Sequence, residues 1–195
     1  MKKSTLWLKN YAGMWQSVLV MLLACVSAKS EEDGRFKYEY PGYDDTPRLA
    51  GSTFRVHQKD RPQPPRVIPS GPAGEAGTVA PSDATVLFSG TTLDQFEETT
   101  WEVKAGVLRA AKGDLATKKA YGDCQLHIEW RTPAPPGGAP GNMGNSGVFF
   151  MSLYELQIYD SFSSKIYADG SAAAVYGQTP PMVNVCRPPG QWQSF

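Results

Sequence analysis

Two polar side chains in the stretch from Gly141 to Ser161 are spaced to act together on a substrate. A Gly- and Asn-rich turn leads there into a strand in which Glu155 and Gln157 alternate with apolar residues. Side chains two apart on a strand share a face, so we expect Glu155 and Gln157 to point one way and the apolar residues the other. A carboxylate and an amide side by side on an open sheet face, with Asp160 just beyond, predict a site that handles sugars.

A second strand, Asp123 to Arg131, carries the clearest period-2 pattern of the chain. Its polar face is expected to present His127, Glu129 and Arg131, because the apolar residues occupy the alternate positions. Glu129 and Arg131 could hold sugar hydroxyls or form a solvated ion pair. His127 could shuttle a proton, since its ring can donate and accept, or it could be a half-exposed strand residue.

Four residues outside these strands, in addition to Asp160, are weaker candidates. Lys118 could add positive charge at the rim of the site, and Tyr176 could stack on a sugar ring. Asn145 could bind hydroxyls or be a turn residue chosen for its backbone tolerance. His57 could be a ligand or a base, but its Pro-rich surroundings favour a solvent-facing loop histidine. Asp160 could bind a divalent cation such as Ca²⁺, which prefers oxygen ligands, although no loop has a specific ligand spacing.

The composition favours an all-β, loop-rich protein without a nucleic-acid partner. The 195 residues include 19 glycines, 16 prolines and 41% hydrophobic residues, a mix that suits short strands and turns more than helices. The 19 basic residues are balanced by 19 acidic ones, and no basic cluster is interleaved with aromatics, so neither nucleic acid nor an anionic membrane surface is indicated.

The N-terminus, residues 1–28, is typical of an export signal. Basic residues precede the apolar run from Ser17 to Val26, and small residues follow it. The run is much shorter than the roughly 20 residues that a spanning helix needs, so we expect cleavage and a secreted, periplasmic or cell-envelope location without a membrane span. In an alternative lipoprotein interpretation, the segment ending in Cys25 resembles a bacterial lipobox, and Cys25 would carry the lipid. The segment could also remain as an uncleaved anchor.

Residues 29–82 predict an extended, Pro/Gly-rich arm, because closely spaced prolines prevent a strand ladder. The folded part, 83–195, begins with a strand at Thr85–Phe88 and a hairpin at Trp101–Leu108. Gly147–Tyr159 is expected to be one strand that is bulged near Met151. Short strands separated by turns predict a sandwich or a barrel. The chain stops on an apolar run at Phe195, so we expect it to be a fragment of a longer domain.

A series of short motifs in this folded part resembles the 3-keto-disaccharide hydrolase domain family. The motifs occur in the expected order: LFSGTTLDQF (87–96), TKKAYGD (117–123), LHIEWR (126–131), GNSGVFF (144–150), YELQIYDS (154–161), YGQTPP (176–181) and RPPGQWQSF (187–195). The upstream stretch DTPRLAGSTFRVHQKDRPQPP (45–65) is similar to the arm of planctomycete-type secreted members.

That resemblance implies a concanavalin A-like jelly-roll sandwich related to laminarinase-type glucanases. Those glucanases carry a Glu-x-Asp-x-x-Glu strand, whereas the matching positions here are Glu155, Gln157 and Asp160. A retaining glycosidase needs two carboxyls about 5–5.5 Å apart, which this trio does not supply.

The resemblance instead implies cleavage of 3-keto-disaccharides or related glycosides by proton abstraction at C2, elimination and hydration. Glu155, Asp160 and Glu129 are the expected acid and base groups. A non-catalytic carbohydrate-binding module of the same fold is the first alternative, and a structural cell-surface domain is the second.

Overall fold

A computed structural model of the chain describes residues 6–10, 36–69 and 79–195. The regular elements of these residues are β-strands and one turn of 3₁₀-helix, so the all-β prediction is confirmed, and the strands are consistent with a β-sandwich. The strands are β1 (Leu6–Asn10), β2 (Tyr38–Glu39), β3 (Thr85–Phe88), β4 (Glu102–Lys104), β5 (Val107–Arg109), β6 (Cys124–Trp130), β7 (Ser146–Phe150), β8 (Tyr154–Ile158), β9 (Ser164–Lys165) and β10 (Gln193–Ser194), and the 3₁₀ turn is Ala168–Gly170. None of the helical structure in the described ranges is long and apolar enough to cross a membrane.

The described residues fall into two compact units. The first unit contains residues 6–10, 79–130 and 192–195, and the second contains 36–69 and 131–191. The second unit therefore combines the described part of the Pro-rich arm with the loop and hairpin that carry Glu155.

The first unit is built on an antiparallel four-stranded sheet in the order β10-β6-β1-β3. Leu87 and Phe88 of β3 are buried with Phe96, and Leu126 of β6 packs against this cluster. The predicted hairpin is confirmed, because β4 pairs with β5 across Ala105 and Gly106. The alternating pattern of β6 thus supplies one apolar side to the core, as period-2 patterning requires.

The predicted export signal, residues 1–28, is described only at β1. There Leu6–Asn10 pairs with β3 on one side and β6 on the other. The apolar run and Cys25 lie outside the described residues. Export and lipid attachment therefore stay predictions.

The second unit contains the antiparallel hairpin of β7 and β8. The expectation of one bulged strand over 147–159 is wrong, because the chain reverses at Met151 and Ser152. Both residues have positive φ, 53° and 55°, and the Leu153 N–H donates to the Phe150 carbonyl. Positive φ at both central residues is the type I′ geometry that suits the twist of a two-residue hairpin.

The described part of the arm, residues 36–69, is integrated into the second unit by backbone bonds. Its β2 runs parallel to β9, and the Val67 N–H donates to the Asn184 carbonyl. Arg61 adds a side-chain bond of 2.9 Å from Nη1 to the Gln178 carbonyl. Proline-rich backbone can be fixed in this way because its carbonyls still accept and its other residues still donate.

The two described cysteines are free thiols, one in each unit. Cys124 packs against the apolar cluster of the first unit, as expected for a cysteine that acts as a small hydrophobe. Cys186 is buried in the second unit, and this burial raises the pKa of its thiol to about 11.

Candidate functional site

The hairpin of β7 and β8 gives Glu155 its position. Glu155 pairs with Phe149, and Gln157 pairs with Gly147. Directly paired residues of an antiparallel ladder share a face, so Glu155, Gln157, Phe149 and the bare backbone of Gly147 lie on one side of the hairpin. Phe149 is 58% exposed, which makes this side solvent-open at the Glu155 end.

Gly147 provides the space that the Glu155 side chain occupies. A Cβ added at position 147 would overlap Glu155, with Cγ at 2.6 Å and Cδ at 2.7 Å. Half-burial of the Glu155 carboxyl disfavours its charged form and raises its pKa above the usual value. A carboxyl with a raised pKa is suited to take and return a proton near neutral pH.

Residues 173–176 extend this hairpin by a third segment. Val175 bridges Leu156, and the Tyr176 N–H donates to the Glu155 carbonyl at 2.9 Å. Tyr176 therefore follows in register opposite Glu155, on the side away from Phe149. The strand that carries the carboxyl thus has an aromatic residue as its neighbour on each side.

Gln157 and Asp160 lie deeper than the sequence suggested. Gln157 is 2% exposed and Asp160 is 3% exposed. Gln157 therefore shares the face of Glu155, as expected, but the expectation that this face is open at Gln157 is wrong. Asp160 accepts hydrogen bonds from the backbone N–H groups of Phe162 and Ser163 through Oδ1, which fixes the turn after β8.

Each of these two side chains retains an oxygen that meets no donor in the described part of the chain. The atoms are Gln157 Oε1 and Asp160 Oδ2. Groups of this kind are rare in folded proteins, because an unmet buried acceptor costs about 1–3 kcal/mol. Their roles as a hydroxyl-binding amide and as an acid or metal ligand stay predictions.

Three predicted site residues belong to the first unit. Glu129 is buried and lies 3.4 Å from His127, measured from Oε1 to Nε2. The exposed Lys118 donates to the Asp94 carbonyl and borders a groove that Glu97 and Glu98 also line. Glu129 and His127 do face the same side of β6, as their spacing predicted.

The remaining predicted residues, Arg131 and Asn145, are exposed in the second unit. Glu155, Gln157 and Tyr176 are the predicted residues that the hairpin register brings together. No group of three or more His, Cys, Asp or Glu side chains in the described ranges could hold a metal ion. A Ca²⁺ site stays a prediction.

His57 is a polar residue that sequence reasoning misjudged. It is not a solvent-facing loop histidine, because its side chain is only 16% exposed and lies against Asp169, which is fully buried. The His57 backbone N–H donates to Asp169 Oδ2 at 3.0 Å, and ring Nδ1 lies 3.4 Å from Oδ1. Arg61 Nη1 lies 3.5 Å from the same carboxylate.

Burial alone would raise the pKa of Asp169, but the surrounding groups reverse the shift. Hydrogen bonds from the ring and backbone of His57, with electrostatic attraction by His57 and Arg61, hold the pKa of Asp169 below its usual value. Asp169 is therefore a buried carboxylate that stays ionised. No local motif marks this pair, because its two members are separated by 112 positions in the chain.

Two tyrosine rings of the second unit pack against His57. Ring centroids lie 4.0 Å from His57 for Tyr167 and 4.8 Å for Tyr176. The hydroxyls of Tyr167 and Tyr176 are 2.7 Å apart. Tyr176 thus contacts both the His57 ring and the strand that carries Glu155.

Comparison with known proteins agrees with this architecture. A solved structure of a candidate glycosyl hydrolase from Parabacteroides distasonis is similar, with a TM-score of 0.58 and 36% identity over 75% of this chain. The match covers 65% of that protein, so this chain spans less than two thirds of its length. No curated protein matches.

The family model of the 3-keto-alpha-glucoside-1,2-lyase-like domain matches residues 83–195. This range is more than half of the 195-residue chain, and it includes both β8 and Tyr176. The chain therefore belongs to the family of 3-keto-disaccharide hydrolase domains described as 3-keto-alpha-glucoside-1,2-lyase-like.

Proposed function

We propose that this chain is a secreted carbohydrate-active hydrolase domain that cleaves the glycosidic bond of 3-keto-disaccharides or related 3-keto-glycosides. The observation that carries the proposal is Glu155, a half-buried carboxyl with a raised pKa on a solvent-open sheet face. The flanking aromatic residues Phe149 and Tyr176 suit a sugar, whose C–H faces pack on aromatic rings.

The chemistry begins at C2 of the sugar, whose proton is acidified by the neighbouring ketone at C3. The Glu155 carboxylate removes this proton, and the C–H electron pair forms the enolate of the ketone. The enolate collapses, the bond from C1 to the glycosidic oxygen breaks, and that oxygen leaves with its electron pair and takes a proton from an acid. Water then adds across C1 and C2, with hydroxyl to C1 and the proton to C2.

This elimination route fits the hairpin better than displacement by a carboxylate. A retaining glycosidase needs a second carboxyl about 5–5.5 Å from the first, but Gln157 stands at the middle position of the strand. Asp160 is buried and uses one oxygen to fix the following turn. Elimination needs one base at C2 and no carboxylate nucleophile.

Turnover of a 3-keto-disaccharide tests the proposal. The chain is incubated with 3-ketotrehalose, and released sugar is measured for the wild type and for Glu155→Gln. Because a positioned base contributes about 10²–10⁴-fold, the variant should lose at least about 10²-fold in kcat. Glu102→Gln is the matched control, since Glu102 is an exposed carboxyl on strand β4.

A carbohydrate-binding module without catalysis is the competing function. It predicts that the wild type binds the same sugar with no release of product, and that Glu155→Gln changes affinity alone. Turnover in the wild type that is unaffected by Glu155→Gln would also refute the role of this residue.

Export is part of the proposal and rests on the sequence of residues 1–28. N-terminal sequencing and mass spectrometry of the protein from its native cell envelope would test it. A chain that begins after Ala28 supports cleavage, a lipid-modified Cys25 supports the lipoprotein interpretation, and an intact Met1 contradicts both.

A further inference from the structure

The arm contributes two basic side chains that lie outside the family match and contact one buried carboxylate within it. The match begins at residue 83, whereas His57 and Arg61 belong to the described arm, residues 36–69. Both contact Asp169, which is fully buried and held as a carboxylate. Backbone and side-chain bonds to Ile166, Gln178 and Asn184 hold the arm against the same unit.

The backbone of His57 is in a conformation that only a well-fixed residue keeps. Its φ is 54°, in the left-handed region that non-glycine residues rarely adopt. The bond from the His57 N–H to Asp169 Oδ2 holds this conformation. Strained residues of this kind concentrate at functional sites, where the surrounding structure over-determines them.

The Asp169 carboxylate also orients the imidazole ring. A carboxylate accepts hydrogen bonds, so Nδ1 facing Asp169 Oδ1 carries the proton, and the ring plane is fixed. The fixed ring contacts Tyr167 and Tyr176, with centroid distances of 4.0 Å and 4.8 Å. Gly177, the residue after Tyr176, has a φ of 67°, in the left-handed region that favours glycine.

Three contacts therefore hold Tyr176 in place. Its N–H donates to the Glu155 carbonyl, its ring contacts His57, and its hydroxyl meets the Tyr167 hydroxyl at 2.7 Å. Tyr167 is 6% exposed, while Tyr176 is only half-buried. If the Tyr167 hydroxyl donates to the Tyr176 oxygen, the Tyr176 O–H is left to donate outward.

We propose that His57 and Asp169 are positioning residues that hold Tyr176 beside Glu155, and that Tyr176 donates a hydrogen bond to the substrate oxygen on which negative charge develops. This inference rests on the proposed function and extends the site to the arm. In this scheme Glu155 handles the C2 proton, and the Tyr176 O–H stabilises the resulting oxyanion. The same aromatic ring borders the sugar.

A double-mutant cycle tests whether His57 acts through Tyr176. Tyr176→Phe should lower kcat for the 3-keto-disaccharide by about 10²-fold with little change in KM, as expected for removal of an oxyanion donor. His57→Asn keeps an N–H near the Nδ1 position and tolerates positive φ, but it removes the ring that contacts Tyr176. It should lower kcat about tenfold alone and have no effect when combined with Tyr176→Phe.

Tyr167→Phe, combined with Tyr176→Phe, provides a second double-mutant cycle. It removes the hydroxyl partner of Tyr176 without changing residues 36–69 of the arm. It too should have no effect on kcat when Tyr176→Phe is already present. Effects of His57→Asn and Tyr167→Phe that persist undiminished in that background would overturn the inference and leave a purely structural role.

Failure of this inference and failure of the proposed function give different results. Loss of activity in Glu155→Gln with additive His57 and Tyr176 effects rejects the inference alone. If the wild type shows no turnover, the proposed function fails, and the same cycles are measured on binding of the 3-keto-disaccharide. Coupled losses of affinity would still support the positioning of Tyr176, whereas independent losses, or no binding at all, would overturn it.

Discussion

The role proposed for Glu155 comes with a cost in stability. Burial raises the pKa of its carboxyl above the ordinary value of 4.5, so the folded state holds the proton more tightly than the unfolded state. The stability that this provides is fully present below pH 4.5 and is lost as the pH rises through the folded-state pKa. The ionised carboxylate, which the proposed proton abstraction at C2 needs, is therefore the form that the fold disfavours.

Glu155→Gln should accordingly be at least as stable as the wild type at pH 7 while it is far less active. The neutral amide avoids the cost of burying a charge, which destabilises the wild type when Glu155 is ionised. The stability of the variant relative to the wild type should therefore decline as the pH is lowered to 4, where the Glu155 carboxyl takes up a proton. Thermal unfolding of both proteins at pH 4 and pH 7 measures this. A difference that does not change with pH, or one of opposite sign, would contradict the burial of this carboxyl.

Gly147→Ala should displace the carboxyl without unfolding the hairpin. A methyl group at position 147 overlaps Cγ and Cδ of Glu155, and the flexible side chain is the group that can move. Because a misplacement of about 1 Å can cost about 10²-fold in rate, we expect a loss of that order in kcat at nearly unchanged melting temperature. Gly137→Ala is the control, since nothing lies within 4 Å of the position its new methyl group would take. Equal activity of the two variants would show that the space beside Gly147 does not determine the position of the Glu155 carboxyl.

Phe149 and Phe150 offer a comparison between the two faces of one strand. Phe149 pairs with Glu155, while Phe150 pairs with Tyr154 on the opposite face. Phe149→Ala should raise KM for the 3-keto-disaccharide about two- to tenfold, the value of one aromatic contact, and Phe149→Tyr should restore it. Phe150→Ala should leave KM unchanged. Steady-state kinetics of the three variants decide whether the Phe149 face binds the sugar.

At the scale of elements, the clearest patterns predicted the strands that bury one face. Strand β3, the hairpin of β4 and β5, and strand β6 were expected from alternation and turn residues, and they are found there. The hairpin of β7 and β8 was expected to be one strand because its turn uses Met151 and Ser152. Neither is the glycine or asparagine that usually marks a turn with two positive φ angles.

The partners of the arm were not predicted from its sequence. Closely spaced prolines predicted an extended segment, and composition alone could not indicate its partners, because these are remote in the chain. Gln63 reaches the Ile166 carbonyl and Arg61 reaches that of Gln178. Such contacts are decided by tertiary packing, which a local pattern does not encode.

Asp169→Asn should weaken the attachment of the arm in a pH-dependent way. The pKa of Asp169 lies below its ordinary value of 3.8, so its stabilising effect is present above pH 3.8 and is lost as the pH falls through the folded-state pKa. The variant should lose about 1.5–3 kcal/mol at pH 7, the range for hydrogen bonds to a charged group. Urea unfolding from pH 7 down to pH 3 measures the loss, which should shrink toward the acid end.

Asp45→Asn is the control for that experiment, because Asp45 is an exposed carboxyl of the same arm. This variant should leave the free energy of unfolding unchanged. A loss in Asp169→Asn that is as large at pH 3 as at pH 7 would show that the carboxylate charge is not what holds His57.

At the scale of the whole molecule, the sequence predicted the fold class and the family, whereas the roles of the site residues stay predictions. Glu155 and Tyr176, two of these residues, are neighbours in the structure. Gln157 is buried because the strand becomes covered on both faces toward its end, which alternation cannot reveal. The solvent-facing position expected for His57 was wrong because its partner, Asp169, is remote in sequence.

Incorporation of solvent hydrogen at C2 tests the central claim most directly. The chain is incubated with a 3-keto-disaccharide in D₂O, and the released 3-keto sugar is examined by NMR and mass spectrometry at early times. Elimination and hydration predict one deuterium at C2 of each product molecule, above the level in free product incubated alone, and no such product from Glu155→Gln. Product that keeps its original hydrogen at C2 would mean that the bond is cleaved by direct displacement, and the assigned role of Glu155 would be wrong.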